Sequence, residues 1–64
     1  MRYYTVSKDD YGRWYCHMVG FSYVPVFGSF SKKKHDALQW AANSMALTYK
    51  DYMVLRKSKP ELFA

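Results

Sequence analysis

The chain has 64 residues, with ten Lys and Arg against five Asp and Glu for a net charge of +5, and a single cysteine. A chain this short is one domain burying only about 60% of the surface that its unfolded form exposes, so large side chains must supply the core. Lone Cys16 excludes an internal disulfide and a thiol zinc site. No apolar run approaches the roughly 18 residues of a membrane span, and the opening Met-Arg-Tyr-Tyr-Thr-Val lacks the apolar centre of a signal peptide, so the expectation is a cytoplasmic protein with no membrane contact.

Residues 2–7 are β-branched and aromatic and predict a strand, with Tyr4 and Val6 on one face and Tyr3 and Thr5 on the other. Lys8-Asp9-Asp10-Tyr11-Gly12 supplies turn chemistry, since Asp bonds locally to backbone and Gly12 admits positive φ, so a hairpin leads into a second strand at 13–19. Alternation places Trp14, Cys16 and Met18 on one face, the expected core face, and Tyr15, His17 and Val19 on the other. A connection follows at 20–23. A third strand is expected at 24–30, with Pro25 at its start or edge and Phe30 closing the core.

Ser31 is the expected N-cap of a helix. Ala37, Leu38, Ala41, Ala42, Met45 and Thr48 recur at intervals of three and four and form its inward stripe. Tyr49-Lys50-Asp51 then predicts a turn, and residues 52–56 a fourth strand or an extended arm. A basic, flexible tail is expected at 57–64, outside a folded domain of residues 1–56. The fold class is therefore α+β, a three-stranded antiparallel sheet packed on one helix, with a possible fourth strand after it.

Thirteen side chains are aromatic, seven of them tyrosine, more than a core of this size can absorb. Some must face outward and offer contact area. The positive charge is also uneven. Residues 1–31 carry three basic and two acidic side chains, residues 32–64 seven and three, and the excess begins at Lys32-Lys33-Lys34. A helix N-terminus disfavours cations by a few tenths of a kcal/mol each, a cost that an anionic partner reverses. Arg56, Lys57 and Lys59 join these lysines if the fold brings both stretches to one side.

Catalytic patterns are missing. His17 and His35 lie on different predicted elements without metal-ligand spacing. Cys16 and His17, adjacent on a strand, point to opposite faces. Asp9, Asp10, Asp36 and Asp51 suit turns and helix starts rather than an acid and base pair. Neither an enzyme nor a cofactor is expected.

Gly12-Arg13-Trp14, Gly20-Phe21, Phe27-Gly28-Ser29-Phe30-Ser31-Lys32-Lys33, Ala37 and Trp40-Ala41 together resemble the N-terminal arm-type DNA-binding domain of phage tyrosine integrases, over roughly residues 3–46. That family packs a three-stranded sheet on one helix, and Ser31 stands where it has threonine. The resemblance implies a phage or prophage protein in a bacterial host cell, with the sheet face of Tyr3, Thr5, Tyr15, His17, Phe27 and Ser29 reading the major groove. In this chain that face is aromatic and neutral rather than basic. A looser similarity, in size and layout, is to the small early proteins with which bacteriophages bind and inhibit host enzymes.

The leading expectation is non-catalytic nucleic-acid binding. Lys32, Lys33 and Lys34 contact phosphate, Arg13, Tyr15 and His17 approach bases or backbone, and Arg56, Lys57 and Lys59 add a salt-sensitive arm. The alternative is a host-takeover protein that binds a host protein through Tyr3, Tyr15, His17 and Phe27. A homodimer is open under either reading.

Overall fold

The computed structural model describes residues 2–21 and 30–63, which form a two-stranded antiparallel sheet, two α-helices and a closing 3-10 turn. The sheet consists of β1 (Tyr4–Lys8) and β2 (Trp14–Met18), with Val6 opposite Cys16 and Thr5 opposite His17. The expected hairpin is present. The Gly12 N–H donates to the Asp9 carbonyl (3.2 Å), the Asp9 N–H to the Arg13 carbonyl (2.8 Å), and Gly12 takes φ +80°, the left-handed conformation that a three-residue hairpin loop requires.

Helix α1 (Lys34–Ser44) turns Ala37, Leu38, Ala41 and Ala42 inward, as the stripe predicts. Its N-cap is Lys33 rather than Ser31, and no side chain caps it. Ser31 instead accepts from the Lys33 N–H at 3.1 Å and donates to Asp36 at 3.3 Å. The helix stops before Thr48 because Ala46 is left-handed (φ 57°), with the Leu47 N–H donating to the Ala42 carbonyl and the Ala46 N–H to the Asn43 carbonyl. Those two bonds make a Schellman stop with alanine where glycine is usual.

The fold departs from a three-stranded sheet on one helix. Residues 24–29 of the expected third strand lie outside the described residues, and what adjoins β2 from the described part is one antiparallel bridge, Trp14 to Ser31. The possible fourth strand is helical, within α2 (Tyr49–Ser58). Strand alternation pairs Val54 with Tyr52 on one face, yet Tyr52 is 0% exposed and Val54 59%. Thr48, expected on the stripe of α1, caps α2 by accepting from the Asp51 N–H at 3.1 Å, which turns residues 49–51 from a loop into a first helical turn.

Residues 57, 58 and 60–63 of the expected tail have regular structure. A boundary after residue 56 falls inside α2, and Pro60–Phe63 form a 3-10 turn. The cause is Phe63, whose ring meets those of Tyr3 and Tyr52 edge-on, each at 5.6 Å between centroids. It belongs to the core with Cys16, Leu38, Ala41, Ala42, Met45 and Tyr52. α1 lies against both strands, and α2 packs on α1 and on the closing turn. The Tyr52 hydroxyl donates to the Tyr4 carbonyl and ties α2 to the sheet.

Candidate nucleic-acid interface

Where α2 crosses the start of α1, Lys34, Leu38, Met53, Arg56 and Lys57 line an open groove of about 440 Å³. Helical spacing explains the convergence. Tyr49, Met53, Arg56 and Lys57 stand at i, i+4, i+7 and i+8, one stripe of α2, and the Tyr49 ring meets His35 of the first turn of α1 at 4.6 Å. The two basic stretches of the sequence thus meet, through Lys34 on one side and Arg56 and Lys57 on the other. The lining contains no carboxylate. Among the described residues the ion pairs are Arg13 with Asp9 and His35 with Asp36, and neither uses a groove cation.

The lysine run straddles the helix boundary. Lys32 and Lys33 precede α1, Lys34 opens it, and all three are exposed. The Lys34 ammonium stands 5.2 Å from the centre of the half-buried Trp14 ring, and the Lys8 ammonium 5.8 Å from the same ring. Trp14 therefore joins the hairpin to the groove in one basic strip, Lys8, Trp14, Lys34, Arg56 and Lys57. Arg56 also approaches the Tyr52 ring at 5.8 Å. Lys59 is exposed at the C-cap of α2.

Arg13 has a different setting from that expected. Its Nε donates to Asp9 at 2.8 Å, and the Asp9 carboxylate also accepts from the N–H groups of Arg13 (2.7 Å) and Tyr11 (3.0 Å). Desolvation pulls the Asp9 pKa up, but these bonds and the Arg13 charge outweigh it and hold the carboxyl below its ordinary value. The guanidinium also lies 4.4 Å from the Phe30 ring and 5.5 Å from the Tyr11 ring. Phe30, expected to close the core, is instead 44% exposed, its ring tilted against Tyr15 at 5.6 Å.

His17 is not on a reading surface. It is 4% exposed, with Nε2 at 2.7 Å from the Ser7 hydroxyl and Nδ1 at 3.2 Å from the Met18 carbonyl. A carbonyl can only accept, so Nδ1 carries a proton, and in the neutral ring Nε2 accepts from Ser7. This pairing satisfies two polar groups on a covered sheet face, where Thr5 is buried too. Of the alternative protein interface, Tyr3 packs on Phe63, Tyr15 is half-buried between Phe30 and His17, and Phe27 lies outside the described residues.

Cys16 is fully buried, and burial pushes its thiol pKa up to about 11, against a lowering hydrogen bond with Ser44. A thiol so placed is a packing residue rather than a nucleophile. Among the described residues no cluster of His, Cys, Asp and Glu could hold a metal ion, and no helix is long and apolar enough to cross a membrane. Sequence reasoning missed Trp14 as a surface residue and Phe30 as an exposed ring. The one signal that could have found Phe30 was its place two residues before the lysines. No family model matches the chain, and no curated protein or solved structure is significantly similar to it.

Proposed function

We propose that this chain is a small, non-catalytic nucleic-acid-binding protein whose phosphate contacts are Lys32, Lys33, Lys34, Arg56 and Lys57. The observation that carries this reading is the groove, in which cations from two separate parts of the sequence share one surface without an acid to neutralise them. Unpaired cations at this proximity repel one another, and a polyanion relieves that repulsion while releasing its own counterions. Trp14 between Lys8 and Lys34 extends the strip over the edge of the hairpin. A single cysteine, which leaves no internal disulfide to form, fits a reducing compartment and so the cytoplasm. The host-protein alternative has less support, because Tyr3, Tyr15 and His17 are half-buried or buried within the molecule.

Titration with random-sequence duplex DNA, single-stranded DNA and RNA at low and at moderate salt tests the reading. Binding that weakens steeply with salt is the expected result. Failure of all three to bind at low salt removes it.

A further inference from the structure

We infer that the preferred partner is a single strand rather than a duplex, with unpaired bases stacking on Phe30 and Tyr11 while the phosphates follow Lys32, Lys33 and the groove. This rests on the nucleic-acid reading above and narrows it. Two exposed rings meet at the hairpin loop, Tyr11 within it at 85% exposure and Phe30 beside Arg13 at 44%. Both share the Arg13 guanidinium, at 5.5 and 4.4 Å from their centres, and Asp9 fixes that guanidinium through a bond of 2.8 Å. The Phe30 ring is thus held between a pinned cation and the Tyr15 ring, at 5.6 Å, which lowers the entropy lost when a base settles on it.

Chain continuity links the rings to the phosphate contacts. Only Ser31 separates Phe30 from Lys32, a step of at most about 7 Å of extended chain, so a nucleotide whose base lies on Phe30 has its phosphate within reach of the lysine run. Arg13, Phe30 and the lysines together combine the two parts of a strand-binding surface, an aromatic platform and a cationic track. A duplex uses only the track, since its bases are already stacked and paired, and phosphate contacts are common to both forms. The difference between strand and duplex therefore isolates the platform.

The test is a fluorescence-anisotropy titration of the intact protein against a labelled oligothymidine of about 20 nucleotides, a mixed-sequence duplex of that length and one strand of that duplex. Base stacking on an aromatic ring contributes on the order of 5- to 150-fold per base. Both strands should bind roughly 10-fold or more tightly than the duplex, and Phe30→Ala should weaken strand binding by about 5-fold or more, with the duplex changing by less than about 2-fold. Tyr11→Ala, at a far more exposed position, should act in the same direction and guards against a folding defect in Phe30→Ala. Equal affinity for strand and duplex, or strand binding unchanged in both variants, overturns the inference and leaves the phosphate reading standing. Absence of any binding overturns both.

Discussion

The hairpin loop and the helix groove both carry cations, and they treat them differently. At the loop, Arg13 is bonded to Asp9, stacked on Phe30 and near Tyr11, so its charge and its planar face are committed inside the molecule. At the groove, Lys34, Arg56 and Lys57 stand together with no carboxylate in the lining. The same contrast extends inward from the hairpin, where Ser7 pairs with His17 and Tyr52 with the Tyr4 carbonyl. A charge paired with a carboxylate holds the fold, and a charge with no carboxylate beside it remains open to an anionic ligand. The position of a cation in the sequence does not distinguish these cases, but its neighbours in space do.

The largest effect is expected from charge reversal in the groove. Lys34→Glu, Arg56→Glu and Lys57→Glu combined should weaken nucleic-acid binding by roughly 100-fold or more at low salt. Thermal unfolding should stay near the parent value, since these side chains make no ion pair among the described residues. Arg13→Ala should do the reverse, lowering the melting temperature while leaving the salt dependence of duplex binding in place. Binding equally sensitive to both changes removes the distinction between the two regions.

The next effect lies on the inner side of the sheet. Burial raises the Cys16 thiol from 9.0 to about 11 and the Tyr52 phenol from 10.0 to about 12, with Arg56 pulling the phenol down and Cys16 pushing it up. Between the unfolded and folded values the unfolded chain has released a proton that the folded chain retains. Stability is therefore full below pH 9, falls as pH rises from about 9 to 12, and loses on the order of 2 kcal/mol for a shift of this size. Cys16→Ala should remove the early part of that decline in denaturant melts, and Tyr52→Phe the later part. Lys34→Glu and Lys57→Glu should leave the alkaline limb unchanged, whereas Arg56→Glu, which removes the charge that lowers the phenol, should deepen it.

Ala46 gives a smaller effect. Its φ of 57° is costly for a residue with a Cβ, and glycine there should stabilise the chain by about 0.5–1 kcal/mol. For a domain of this size that is a rise of roughly 2–8 °C in melting temperature. Because Ala46 ends α1 and sets the path into α2, Ala46→Gly should preserve the groove and its affinity. The smallest effect belongs to Asp9, whose lowered pKa adds stability that is present above its ordinary value of 3.8 and lost as pH falls below it. Asp9→Asn should flatten the acid limb of the stability curve, and an unchanged limb contradicts the pairing with Arg13.

The hairpin and the inward stripe of α1 were legible because each rests on a local pattern, two-residue alternation around an Asp and Gly turn and apolar spacing of three and four. The α2 segment was not, since a short apolar run such as Tyr52-Met53-Val54-Leu55 suits strand and helix alike. Thr48 as a cap, three residues before Asp51, was the available cue. The end of α1 was hidden because alanine occupies a position that glycine usually marks. Alternation placed Cys16 in the core, but Trp14 and Met18, expected beside it, are only half-buried, Val19 of the other set packs on the core, and His17 and Thr5 are buried as well. The lysine run at 32–34 was recognisable as a charge run, whereas the meeting of Lys34 with Arg56 and Lys57 required α2 to be a helix.

The most direct test of the central claim is the slope of log K against log salt for nucleic-acid binding, measured for the parent chain and for the triple groove variant. Each phosphate contact on a duplex adds about 0.9 to that slope, so loss of three cations should reduce it by roughly 2–3. A parent slope near zero, or a slope unchanged by the three reversals, contradicts the groove as the phosphate site.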